Sequence, residues 1–317
     1  MQAISKRPLE GKWGEITDFH LGVKHALWEF NPGRCYLPGF FENYAQQILD
    51  APVREDDVWL ISYPRTGSTW CQEIVWLLGN NMDFQKAEST LQQIRAPLIE
   101  MSVALYEYAD QFKNVFTNSV DFVNKLPSPR FLKSHLPFQL LPKDLQKIIY
   151  LMRNPKDTCV SLFYHCRLLH GFDVDFDTFC ELFLDGAVIY GDLLDHCLEF
   201  WSRRNEEHLL ILRYEDLKVD TKSCVKLIAD FMGKSASDKE VEELVDYIGF
   251  SKMRRNRSCN AEVLLNGKGG RKYFDEMGCH FIRKGEIGDW KNHMSPDIVG
   301  KFDEWIERKT YGTGLIL

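Results

Sequence analysis

The chain has 317 residues, 44% hydrophobic and 27% charged, as in a globular protein large enough for one big α/β domain or two ordinary ones. A formal net charge of −7 argues against nucleic-acid binding, so any anionic ligand must be held by local cations against the overall field. No apolar run reaches the roughly 18 residues of a membrane span, residues 1–13 lack a signal-peptide core, and the nine cysteines stand singly; a cytoplasmic setting without zinc or disulfides is expected.

Residues 1–35 read as an irregular, polar lead-in to a single domain over 36–317, which opens with helical spacing at 41–49. Next comes the most informative stretch. The apolar run Trp59-Leu60-Ile61 leads through Ser62-Tyr63-Pro64-Arg65-Thr66-Gly67-Ser68-Thr69-Trp70 into apolar residues of helical spacing. A strand at 58–63, a tight turn and a helix over 70–79 are predicted. Helix-start N–H groups, the positive end of the helix dipole and three hydroxyls then converge on one spot suited to an oxyanion. The standard phosphate loop G-x-x-x-x-G-K-[ST] is absent.

A helix is expected over 101–113, within a longer connecting segment 101–125. Short Ile/Leu-rich runs predict strands at 130–135, 147–152 and 208–214. Helical patterns at 155–169, 176–184, 188–204 and 221–232 lie among them. Asn154 caps the first of these, Pro155 fits its first turn and Asp157 suits its positive end. Alternating strands and helices imply a three-layer α/β/α domain around a central parallel sheet, with ligand beyond the strands' carboxyl ends. The sequon Asn256-Arg257-Ser258 is read as chance. Residues 266–272 read as a flexible basic segment, followed by Arg283-Lys284-Gly285 between glycines and a closing helix over 296–309.

At the predicted sheet edge lie Arg65 and the hydroxyls of residues 66–69, then Lys133 and His135, then Arg153 and Ser161, then Tyr214. Arg283-Lys284-Gly285 is placed to close over them. Each has a structural explanation singly, but basic or hydroxyl groups at four strand ends exceed what packing requires. Nucleoside-triphosphate kinases normally need Mg²⁺ to neutralise the transferred group. No metal-binding carboxylate pair is evident, and a less charged sulfuryl group is within reach of Arg and Lys alone.

Tyr63-Pro64-Arg65-Thr66-Gly67-Ser68-Thr69-Trp70 resembles the 5′-phosphosulfate loop of the cytosolic sulfotransferases, which use 3′-phosphoadenosine 5′-phosphosulfate (PAPS). Arg153-Asn154-Pro155-Lys156-Asp157 through Ser161 is similar to their 3′-phosphate motif, and Lys133-Ser134-His135-Leu136-Pro137 to the segment carrying their catalytic histidine. Arg213-Tyr214-Glu215-Asp216-Leu217 and Arg283-Lys284-Gly285 through Gly288-Asp289-Trp290-Lys291 match further motifs, in family order from about Pro38 onward. The resemblance implies that Arg65, Thr66, Gly67, Ser68, Thr69 and Trp70 wrap the phosphosulfate. It places Arg153, Ser161, Arg283, Lys284 and Gly285 on the 3′-phosphate. Trp70 and Phe250 would sandwich the adenine near Tyr214 and Met253. His135 would be the general base, with Lys133 and Arg65 stabilising the reacting charges and no metal taking part.

Three departures from the family pattern stand out. Arg65 replaces a lysine expected to serve the leaving oxygen, which raises the alternative of a PAPS- or PAP-binding protein with weak catalysis. Ile248 replaces a threonine near the adenine. Ser295-Pro296 and Gly300 alter the dimer motif, so a monomer or weak homodimer is expected. Phe41, Phe138, His165 and Leu169 are candidates for an acceptor pocket taking phenols, alcohols or steroid-like compounds.

Overall fold

The computed structural model describes residues 3–104, 117–261 and 280–317. Its centre is a parallel sheet of strands β4 (Val58–Ser62), β5 (Phe131–Ser134), β6 (Ile148–Met152) and β7 (Leu209–Arg213), in the order β5-β4-β6-β7. Strands β4 and β6 are buried along their whole length, as central strands covered on both faces must be. Alternate residues feed two cores. Trp59, Ile61, Tyr150 and Met152 enter one; Leu60, Ile149, Leu151 and Leu212 enter the other.

Helices close both faces. On the first side pack Pro155–His170, Phe176–Leu184, Leu193–Trp201 and Pro296–Thr310; Ser68–Gly79, Thr221–Phe231 and Asp238–Tyr247 pack on the second. The expected three-layer domain is therefore present. The predicted 188–204 helix is shorter, Leu193–Trp201, because Tyr190 and Gly191 take left-handed φ values of 70° and 84° and Asp192 caps the helix only after them. Of the predicted 101–113 helix, Met101–Ala104 is helical; the remainder and the 266–272 segment lie outside the described residues.

The lead-in is not irregular. Strands β1 (Ser5–Pro8), β2 (Trp28–Asn31) and β3 (Cys35–Leu37) form an antiparallel sheet, and a helix spans Gly11–Leu21. Its strands are too short for a readable alternation, and the helix has no strong apolar face of its own. Tertiary packing supplies the order: Trp13, Ile16 and Leu21 lie against the main core.

Candidate active site

Strand β4 runs into a turn whose geometry depends on two left-handed residues, Arg65 (φ 70°) and Gly67 (φ 103°). Tyr63, fully buried, anchors the turn by donating its hydroxyl to the Gly191 carbonyl at 2.8 Å. A Cβ at residue 67 would sit 2.6 Å from Cδ2 of Tyr214, so glycine is required there. Among the described residues no side chain caps helix Ser68–Gly79, which leaves its leading end facing the cavity. The Thr66 hydroxyl departs from expectation: it donates back to the Tyr63 carbonyl at 2.9 Å and Thr66 is not part of the cavity wall.

Arg65 reaches sideways. Its Nε donates to Ser161 Oγ at 3.2 Å and an Nη to the Phe281 carbonyl at 2.7 Å, with the guanidinium 4.8 Å from the Phe281 ring centre. It thus ties the first turn to the second and to the 281–286 strap.

Strand β5 delivers Lys133 and His135. The Nδ1 of His135 lies 2.7 Å from the Ser62 carbonyl, which only accepts, so the proton sits on Nδ1. Burial, reinforced by the Lys133 charge, pushes His135 down to about 3. The ring is accordingly neutral near pH 7, with a lone pair on Nε2. Lys133 is pushed down to about 8 by burial, which Glu100 opposes and Arg65 assists.

Glu100 is a site residue that sequence reasoning missed. Fully buried, it accepts the His135 backbone N–H at 2.6 Å and the Ser134 hydroxyl at 2.9 Å; the Tyr190 hydroxyl is 3.4 Å away. Burial raises it to about 7, with those hydrogen bonds pulling the other way. It arrives beneath the histidine because Ile99 donates to the Lys133 carbonyl and Lys133 to that of Pro97, a bridge to β5 that no local pattern announces. Tyr190, also missed, stands edge-on to His135 with ring centres 5.5 Å apart.

At the second turn Asn154 caps helix Pro155–His170 by accepting the N–H groups of Lys156 and Asp157, with Pro155 in the first turn as read. Arg153 donates to the carbonyls of Arg65 (3.2 Å) and Glu286 (3.0 Å), and lies 4.4 Å from the Tyr214 ring centre. The strap is pinned from below. Asp157 accepts the N–H groups of Gly288 and Trp290, while buried Asp289 accepts from Arg283 at 2.5 Å and Lys284 at 2.7 Å. Burial pushes Asp289 up, but the hydrogen bonds from Lys284, Arg283 and Asn292 outweigh it and hold it well below the usual carboxylate range.

These groups converge on one cavity of about 390 Å³. Arg65, Gly67, Ser68, Thr69, Trp70, Lys133, His135, Arg153, Ser161, His165, Leu169, Tyr214, Phe250, Met253, Arg283, Lys284 and Gly285 all line it. Ile248 and Lys218 line it too; the Lys218 ammonium stands 5.7 Å from the Trp70 ring centre and 5.9 Å from that of Phe250. Phe41 and Phe138 lie elsewhere. Phe41 is a fully buried core ring, edge-on to Phe30 at 4.9 Å, and Phe138 packs on Phe200 beneath Arg203. Their apolar character reflects core packing.

The cavity's basic side chains and aromatic rings suit a ligand that is anionic and in part flat, as a phosphorylated nucleotide is. The protein-family model for the sulfotransferase domain matches residues 55–314, and the chain belongs to that family. Luciferin sulfotransferase of Photinus pyralis is 33% identical over 286 residues, spanning 86% of this chain and 76% of its own. Sulfotransferase 1E1 of Bos taurus is 33% identical over 282 residues, with coverages of 87% and 90%. Among solved structures, retinol dehydratase in complex with retinol and PAP superposes with a TM-score of 0.87 at 26% identity, covering 99% of this chain and 98% of that one. The family resemblance read from the motifs is thus borne out, and the protein is a sulfotransferase.

Proposed function

We propose that the protein transfers the sulfuryl group of PAPS to the hydroxyl of a small hydrophobic acceptor, with His135 as general base. One observation carries the reading. The Ser62 carbonyl fixes the Nδ1–H tautomer of His135, and the site keeps the ring neutral, so a cavity-lining imidazole has Nε2 ready to accept a proton.

PAPS, when bound, supplies the activated sulfuryl group. The residues fit such a ligand. Trp70 Nε1 and Arg153 Nε are buried without hydrogen-bond partners among the described residues. Side chains at Gly67 or Gly285 would crowd Tyr214 or Phe250 to within 2.6 or 2.8 Å. In this reading the 65–70 turn binds the phosphosulfate end. Arg153, Ser161, Arg283, Lys284 and Gly285 bind the 3′-phosphate, while Trp70 and Phe250 flank the adenine beside Tyr214 and Met253. Lys133 offsets charge developing on the transferred group. His165 and Leu169 face the acceptor, and solved relatives include complexes with androsterone and retinol, both hydrophobic alcohols.

Arg65 motivates a second reading, a PAPS- or PAP-binding protein of low turnover. Its guanidinium is engaged with Ser161 and Phe281, a planar strut where the family pattern has a lysine. The sulfotransferase relatives support a cytoplasmic enzyme. The altered 295–300 segment supports a monomer or weak homodimer. Calorimetry with PAP, alongside transfer from PAPS to phenols and alcohols in EDTA, tests the proposal. Binding without transfer to any acceptor leaves the second reading in its place.

A further inference from the structure

Beside helix Pro155–His170 the same cavity is also lined by the apolar side chains of Leu98, Met101, Leu169 and Ile189. Three polar rings, His165, His170 and Tyr190, stand among these apolar walls. His165 makes edge contacts with Phe281 and His170, at ring-centre distances of 5.9 and 6.2 Å. Its Nδ1 is fully shielded from water and has no hydrogen-bond partner among the described residues.

Such a group needs an explanation, because a buried donor or acceptor left unpaired costs the full loss of its water contacts. Protonation does not resolve the matter. Burial, with the charges of Arg65 and Lys133 and the neighbouring His170 and His135, holds His165 well below its ordinary value and keeps it neutral. A neutral imidazole offers one donor and one acceptor, and nearby cations disfavour a cationic partner. An uncharged hydroxyl or carbonyl matches the neutral ring, and at an atom shielded from water it avoids the cost of burying a charge that an anionic partner would incur.

We propose that His165 is a specificity-determining residue that hydrogen-bonds a second polar group on the acceptor, so that the preferred acceptors are hydrophobic molecules bearing an uncharged hydroxyl or carbonyl besides the hydroxyl that is sulfated. This rests on the transferase reading above for the identity of the cavity. It differs from a merely apolar pocket in what it rejects. A site whose polar group waits for substrate disfavours the analogue that leaves that group unpaired, and the preference disappears when the group is replaced by an apolar ring.

The test uses matched acceptors, such as androsterone and the same steroid without its ketone, and linear diols beside the corresponding mono-alcohols. Each is assayed for kcat/KM and for equilibrium binding to the protein loaded with PAP. Wild type is expected to favour the two-group member of at least one pair by about tenfold, the worth of one neutral hydrogen bond. His165→Phe should reduce that ratio to about one in both measurements, while His165→Asn, which keeps donor and acceptor, restores part of it. Thermal melts with PAP show whether each variant folds. A ratio unchanged in His165→Phe, or wild-type preference for the mono-functional member of every pair, overturns the proposal. Discrimination in binding without any transfer supports His165 and defeats the transferase reading instead. Binding of neither member of any pair overturns both.

Discussion

Replacing Glu100 by glutamine separates what this buried acid does for stability from what it does for the site. In the folded protein the carboxyl titrates near 7 instead of its ordinary 4.5, because burial disfavours its charge. The folded state therefore binds the proton more tightly than the unfolded chain. Glu100's contribution is fully present below pH 4.5 and is lost as the pH rises through about 7, an interval worth about 3 kcal/mol. Glutamine resembles the protonated acid. Its oxygen can accept the His135 N–H and its amide can donate to Ser134 Oγ, which already accepts the Leu136 N–H at 3.1 Å. Urea unfolding at pH 5 and pH 8 should show the variant more stable than wild type by about 1 kcal/mol at pH 5, where the unfolded glutamate is already largely ionised, and by about 3 kcal/mol at pH 8. The functional cost falls on Lys133, whose charge the ionised Glu100 supports. In Glu100→Gln the alkaline fall of kcat/KM should begin at lower pH than in wild type. Stability differences that stay constant from pH 5 to pH 8, with superimposable rate profiles, would refute the reasoning.

The same geometry sets the outcome of other perturbations. Gly67→Ala forces a Cβ within 2.6 Å of Tyr214 at a φ of 103°, so PAP affinity by calorimetry should fall more than tenfold; unchanged affinity would mean the turn yields freely. Arg65→Lys frees a compact cation from the Ser161 and Phe281 bonds, and kcat should rise several-fold while the melting temperature drops slightly; no rise in rate would remove the idea of an impaired site. For wild type, kcat/KM should stay level from pH 7 down to pH 5, since His135 protonates only near 3, and should decline above about pH 8 as Lys133 loses its proton. An acid limb near pH 6.5 would show that the histidine is not held neutral.

What the sequence made legible was local. The Ile/Leu-rich runs located the four parallel strands of the described sheet, and Asn154-Pro155 located the start of the second cavity-lining helix. A strand end also fixes where the next residue points, so Arg65, His135, Arg153 and Tyr214 converge as their positions imply. Glu100 was not legible because it lies 35 residues before His135 and reaches it through a non-local bridge. Tyr190 owes its place to a left-handed backbone that its own sequence does not announce. Phe41 and Phe138 show the converse limit: an aromatic near a motif serves a core as readily as a pocket. The β1–β3 sheet escaped because strands this short carry almost no periodic signal.

The central claim is sulfuryl transfer with His135 as the base. Purified protein should be incubated with radiolabelled PAPS and a panel of phenols and hydrophobic alcohols in EDTA, with His135→Ala in parallel and PAP binding measured for both. The account predicts labelled sulfate esters from wild type, a loss of at least about a hundredfold in His135→Ala, and PAP affinity nearly equal in the two proteins. Transfer that persists undiminished in His135→Ala would contradict it.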